Sequence, residues 1–192
     1  MPKDMDDRQT ALSFVVRTTE VGGHDLTDMQ NAIPNLVVLV DRKHDAMQNF
    51  LNAMNYTSGP CVHLEDDVIL CDDFYAKITA IINEHPDDVI QFFSMRQEDL
   101  TVGTRYIAGS KFMMNQCFYL PAGLGPKIAE AWRTSARQSE AGAPYDLLMA
   151  DYFKEHKMRY LNWCPNLVDH EVCVSRIDKR RSSKRQSLTF VK

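Results

Sequence analysis

Three consecutive carboxylates, Glu65-Asp66-Asp67, follow directly on the apolar run Cys61–Leu64 and precede another, Val68-Ile69-Leu70. Flanked this way they are expected to be partly buried. Adjacent anions out of water repel one another and lose hydration, so they persist where something positive neutralises them. A hard divalent cation does this well. Mg²⁺ or Mn²⁺ takes one or two protein carboxylates and completes its octahedron with water and phosphate oxygens. The competing reading is a surface turn with helix-capping acids, although Asp72 and Asp73 already supply a cap for the helix that follows.

The elements that must position this corner alternate in type. Ala11–Thr19 reads as a β-rich run inside a sheet, and a polar helical stretch spans Asp25–Ala32. Asn35–Asp41 is a second strand. Met47, Phe50, Leu51 and Met54 recur at helical spacing within His44–Met54, and Cys61–Leu64 is a third strand. A helix with Phe74, Ile78, Ile81 and Ile82 on its inner face follows, capped by Asp72 or Asp73. Val89–Met95 is then a strand, residues around Gly103 and Gly109 form a polar loop, and Lys111–Pro121 returns as a strand. Helices from Pro126 to Trp132 and from about Tyr145 to His156 precede a last strand, Arg159–Trp163. The expectation is one α/β domain whose central sheet is mainly parallel and flanked by helices. Ligands of such sheets bind beyond the carboxyl ends of the strands, after Thr18, Val40 and Leu64.

The 192 residues, 44% hydrophobic and 25% charged, suit one globular domain and exclude a disordered chain. No apolar run is long enough to span a bilayer, and the acidic start MPKDMDDRQT does not read as an export signal. A cytoplasmic location is therefore expected. The net charge of −4 conceals an asymmetry, because residues 171–192 carry seven bases and two acids and leave the remainder at −9. A basic tail on an acidic body suits an anionic ligand, either a nucleotide pyrophosphate or a nucleic-acid backbone. A solvated charged tail is the plain alternative. Five cysteines without a CxxC pair indicate neither a disulfide framework nor a zinc site.

Taken in order, HLEDDVILCDDF, APYDLLMADYF, NWCPNLVDHEVCVS and SSKRQSLTF resemble successive segments of GT-A glycosyltransferases, and are most similar to the small bacterial and phage-encoded LEDD type. The resemblance covers most of the chain, although the acidic motif is EDD rather than DxD. It implies a single GT-A (Rossmann-like) domain over residues 1–175, with a basic tail, 176–192, folding near the active site. It further implies transfer of a sugar from a nucleotide-sugar, with a UDP-linked donor favoured, and Mn²⁺ or Mg²⁺ as cofactor.

Under that resemblance Asp67 is the direct metal ligand and His170 the second, with Glu65 and Asp66 holding ribose, sugar or metal waters. His63 reads as structural. Asp41 would meet the base or ribose, or else initiate a turn. Arg17 would meet the nucleotide, or else pair with an acid at the core edge. Asp146 would be the base that takes the acceptor proton, or a plain first-turn acid, with Asp151 in reserve. Arg180, Arg181, Lys184 and Arg185 would fold over the diphosphate. The favoured acceptor is a hydroxymethylated base in DNA, and the other is a cell-surface saccharide. A metal nuclease and a non-catalytic nucleotide-binding module stay open as alternatives.

Overall fold

The computed structural model describes residues 11–20, 23–135, 145–172 and 185–192, with the side chain of Asp146 outside the description. Seven strands form one sheet in the order β2-β1-β3-β7-β5-β8-β6: β1 (Ser13–Thr19), β2 (Val37–Asp41), β3 (Cys61–Glu65), β5 (Ile90–Gln91), β6 (Arg105–Ala108), β7 (Cys117–Leu120) and β8 (Arg159–Asn162). A separate ribbon pairs β4 (Val68–Leu70) with β9 (Val168–His170).

The alternation of strands and helices is observed, and the sheet is mixed, with the expected parallel pairing at β2-β1-β3 and between β5 and β8. β1 pairs in parallel with β2 and β3, and β5 with β8. β7 lies antiparallel between β3 and β5, and β6 runs antiparallel along β8. A parallel return needs a crossover, usually a helix. The only α-helix between β5 and β7 is α4 (Asp99–Val102), four residues long, so the chain comes back in the opposite direction.

Both faces of the sheet are covered, which is why β1 is buried from Phe14 to Thr18. On one side, α1 (Thr27–Ala32) and α3 (Phe74–Glu84) bring Met29, Phe74, Ile78, Ile81 and Ile82 against Phe14, Val16, Val62 and Leu64. On the other, α2 (Ala46–Met54), α5 (Leu124–Trp132) and α6 (Tyr145–Glu155) enclose Phe50, Phe118, Ile128, Met149 and Phe153. Asp45 caps α2 by accepting from the backbone N–H of Gln48 at 2.9 Å. Asp73 occupies the corresponding position of α3, but its backbone is left-handed (φ 55°) and its side chain makes no capping bond. The expected cap is thus a position without the hydrogen bond.

His63 is 1% exposed and stacks on Phe118 at 4.9 Å between centroids. Burial, reinforced by the charge of Arg17, lowers its pKa to about 3. The unfolded chain titrates near 6.5, so it takes up the proton first on acidification. The resulting stability is present above about pH 6.5 and is lost as pH falls toward 3, the loss reaching about 2 kcal/mol at pH 5. The fall in unfolding free energy between pH 8 and pH 5 should therefore be about 2 kcal/mol smaller in His63→Phe than in the parent. Equal falls in a denaturant titration would contradict a buried neutral imidazole.

Candidate functional site

The carboxyl ends of β1, β2 and β3 lie side by side, and the three-carboxylate corner emerges from β3 between them and β7. Glu65 is the last residue of β3, and Asp66-Asp67 make the turn into β4. Each carboxylate has a different surrounding. Glu65 Oε1 accepts from Tyr145 Oη at 2.6 Å and lies 3.4 Å from Arg17 Nη2. Burial raises its pKa, with the Asp67 charge adding to this and Arg17 opposing it. Asp66 Oδ2 accepts from Thr18 Oγ1 at 2.6 Å and from the backbone N–H of His24 at 3.4 Å. The chain passes very close here: a Cβ on Gly23 would lie 2.5 Å from the Thr19 carbonyl and 2.6 Å from Thr18 Oγ1, which explains glycine at that place.

Asp67 meets His170 because of the ribbon. Val68 pairs with His170 in the β4–β9 register, and Glu171 N donates to the Asp67 carbonyl at 2.8 Å. The result is His170 Nε2 3.0 Å from Asp67 Oδ2. His170 is fully buried, and its Nδ1 lies 2.5 Å from the Glu171 carbonyl. That carbonyl can only accept, so Nδ1 carries a hydrogen and the neutral ring presents its Nε2 lone pair to the carboxylate. Nε2 makes no aligned hydrogen bond, and Asp67 Oδ1 is buried without a partner. A lone pair facing a carboxylate at 3.0 Å is repulsive unless a cation sits between or beside them. In the absence of a metal ion that cation is a proton. Burial disfavours charge on His170, but the contact with Asp67 and its charge outweigh this and raise the His170 pKa. Burial likewise works against the Asp67 anion, and His170, Arg185 and His24 together hold its pKa below the usual value.

A divalent ion can replace the proton. In an octahedron with bonds of 2.0–2.1 Å, adjacent ligands stand about 2.9 Å apart, close to the separation found between Nε2 and Oδ2. An imidazole nitrogen beside a carboxylate oxygen suits Mn²⁺ better than Mg²⁺. Among the described residues no group of three or more His, Cys, Asp or Glu converges on a common point. The pair would therefore leave most of the coordination sphere to water and ligand oxygens, as is usual for ions that bind phosphates.

Arg17 is buried with its guanidinium against the rings of Phe50 (5.2 Å) and Tyr145 (4.9 Å), and it donates to the Asn115 carbonyl at 3.2 Å. Its partners are thus the acid Glu65, the Asn115 carbonyl and two aromatic faces. Asp41 ends β2, where Oδ1 accepts from Lys43 N at 3.0 Å in a turn. Tyr145 starts α6, so its bond to Glu65 ties the first turn of that helix to the corner. Asp146 is the next residue, and its side chain lies outside the described residues. Asp151 is exposed further along α6. Arg180, Arg181 and Lys184 also lie outside the described residues, whereas Arg185 is half-buried and close enough to Asp67 and His170 to influence both.

Several residues of the site have no forewarning in the sequence. Tyr145 and Thr18 are partners of the corner through contacts 80 and 48 positions apart. His24 Nδ1 and Glu171 Oε2, 2.7 Å apart, join the loop after β1 to the end of β9. Asn166 and Asp169 hold the terminal segment: Asn166 Nδ2 donates to Ser187 Oγ at 2.9 Å, and Ser187 N donates to Asp169 Oδ1 at 2.6 Å. That clamp fixes the stretch containing Arg185 beside the site. A cavity of about 560 Å³ between α1, β4 and the start of α3 lies to one side and shares Val68 and Glu171 with the residues above. Its walls carry Asp25, Asp28, Asp72 and Asp73, together with Lys192.

No family model matches the chain, and no curated protein matches it. Among solved structures it is similar to A197 from STIV, with 16% identity and a TM-score of 0.48 over 94% of this chain and 95% of that one.

Proposed function

We propose that the chain is a metal-dependent glycosyltransferase of the GT-A type, moving a sugar from a nucleotide-sugar, UDP-linked in the favoured reading, to an acceptor hydroxyl. The observation that carries this reading is the Asp67–His170 pair: two donors 3.0 Å apart, facing one another without an aligned hydrogen bond, at the carboxyl edge of the parallel strands β1 and β3. Asp67 and His170 hold the divalent ion, with Mn²⁺ favoured. When bound, the ion supplies positive charge that offsets the diphosphate and stabilises the leaving group.

The remaining work belongs to side chains. Arg185, together with Arg180, Arg181 and Lys184 of the same basic run, meets diphosphate oxygens and keeps water from them. Glu65 and Asp66 face ribose, sugar or bound water. Asp41 and Arg17 border the nucleotide from the ends of β2 and β1. Asp146 takes the proton of the acceptor hydroxyl as its oxygen attacks the anomeric carbon, and Asp151 is the reserve for that role. The Tyr145–Glu65 hydrogen bond supports this assignment, because it anchors the turn that bears Asp146. The basic run ending at Arg185 favours a polyanionic acceptor, hydroxymethylated DNA, over a cell-surface saccharide. No described helix is long and apolar enough to cross a membrane.

Thermal unfolding tests the reading. UDP with Mn²⁺ should raise the midpoint, corresponding to about 2.7 kcal/mol at a hundredfold excess over Kd, whereas UDP with a chelator should not. A proton on His170 Nε2 competes with the metal, so this stabilisation should weaken between pH 8 and pH 6. A shift that ignores Mn²⁺, or no shift at all, would contradict the proposal.

A further inference from the structure

Beside the corner stand two carboxamides with no assigned role. Asn115 is 3% exposed and Gln116 6% exposed. Both the Nδ2 and the Oδ1 of Asn115, and the Oε1 of Gln116, are buried without a hydrogen-bond partner. A buried amide left unpaired costs about 1–3 kcal/mol, and native proteins retain such groups where a bound molecule completes them.

Their position indicates what that molecule meets first. Glu65 N donates to the Gln116 carbonyl at 2.9 Å, one step beyond the Leu64–Cys117 pair of the β3–β7 ladder. Residues directly opposite in an antiparallel pair project from the same face, so Gln116 shares the face of Glu65, Arg17 and Tyr145. Asn115 precedes it, and its backbone carbonyl is held by Arg17 Nη2. Gln116 thus lies on the face of the corner that meets the turn anchoring α6, and Asn115 is joined to the same corner through Arg17. A carboxamide offers both a donor and an acceptor and has no charge, which matches a neutral hydroxyl and not a phosphate oxygen.

We propose that Asn115 and Gln116 form a hydroxyl-recognition subsite that hydrogen-bonds the sugar of the donor, making them specificity-determining residues. This rests on the transferase reading above and adds to it the place of the sugar. Diphosphate and nucleoside would be held elsewhere in the site. The subsite therefore separates UDP-sugar from UDP.

The test compares Asn115→Leu and Gln116→Met with the parent chain by calorimetric titration with UDP, UDP-glucose, UDP-galactose and UDP-N-acetylglucosamine in Mn²⁺. In the parent, one UDP-sugar should bind more tightly than UDP. In each variant that preference should fall about tenfold or more, while affinity for UDP stays within about twofold. Without ligand the variants should be at least as thermostable as the parent, since apolar groups of similar shape replace unpaired polar ones. A parent that binds UDP and a UDP-sugar, with variants that keep its preference, overturns the subsite alone. Marked destabilisation of both variants without ligand, with the preference intact, shows instead a structural role and also overturns it. A parent that binds neither UDP nor any UDP-sugar overturns the transferase reading together with the subsite.

Discussion

Asp67→Ala should abolish the Mn²⁺-dependent part of UDP binding, with a loss of affinity of about a hundredfold or more, that is, about 2.7 kcal/mol. The variant removes one of only two protein donors on the proposed ion and the partner that His170 needs. His170 is wholly buried and its pKa is raised by Asp67, so losing the carboxylate leaves a ring that no longer gains from a proton. Its Nε2 becomes a lone buried acceptor. Such a site holds neither a proton nor a divalent ion well. Calorimetry with and without Mn²⁺ measures the effect, and a variant with the parent's metal-dependent affinity would show that Asp67 is no ligand. His170→Ala should give the same loss, because the two act on one ion and their effects do not add.

Asp146→Asn should lower the rate of transfer by about 10²–10⁴-fold, the usual contribution of a general base, while leaving UDP-sugar affinity within about twofold. Asparagine retains the shape and removes the basicity, so binding and turnover separate. The first turn of α6 is tied to the corner by Tyr145, whose hydroxyl reaches Glu65 and whose ring stacks on Phe50 at 4.9 Å. Asp146 is the next residue along that anchored turn. Mass spectrometry of nucleosides from hydroxymethylated DNA, after incubation with donor and Mn²⁺, follows the rate. A near-normal rate would pass the role to Asp151.

The parts of the fold that the sequence makes legible are those with a period. β1, β2, β3 and the helices α2, α3 and α6 fall within two or three residues of their expected bounds, because apolar spacing and flanking turns define them. Direction is not encoded in that way. Lys111–Pro121 reads as one long strand, yet only Cys117–Leu120 joins the ladder, and it runs antiparallel. Before it, the Met113 and Met114 carbonyls accept from Gln91 Nε2, so the chain there is used by a side chain and not by a neighbouring strand. β6 is hidden in an apparently polar loop because it is an edge strand of four residues, Arg105–Ala108, that alternate between half-buried and exposed. Its Tyr106 is covered by Arg159 through a cation–π contact of 4.9 Å.

In the site, the acidic corner stands out locally because three adjacent anions are costly to bury. His170 becomes visible only through the resemblance to a known family, and the β4–β9 register explains why a residue more than a hundred positions away arrives beside Asp67. The supporting contacts were not legible. Thr18 to Asp66, Tyr145 to Glu65 and Ser187 to Asp169 join residues of ordinary type across long intervals, and nothing in their spacing announces them. Arg17 shows the reverse. Its position at the end of a strand suggests either a nucleotide contact or an acid partner at the core edge, and the structure shows it beside Glu65, Phe50 and Tyr145.

The most direct test of the central claim is a crystal structure of the chain with Mn²⁺ and UDP, read through the anomalous scattering of manganese. The account predicts one strong peak bonded to Asp67 and to His170 Nε2, with diphosphate oxygens completing its coordination. Manganese bound elsewhere, or UDP bound while Asp67 and His170 stay in contact with no metal between them, would contradict it.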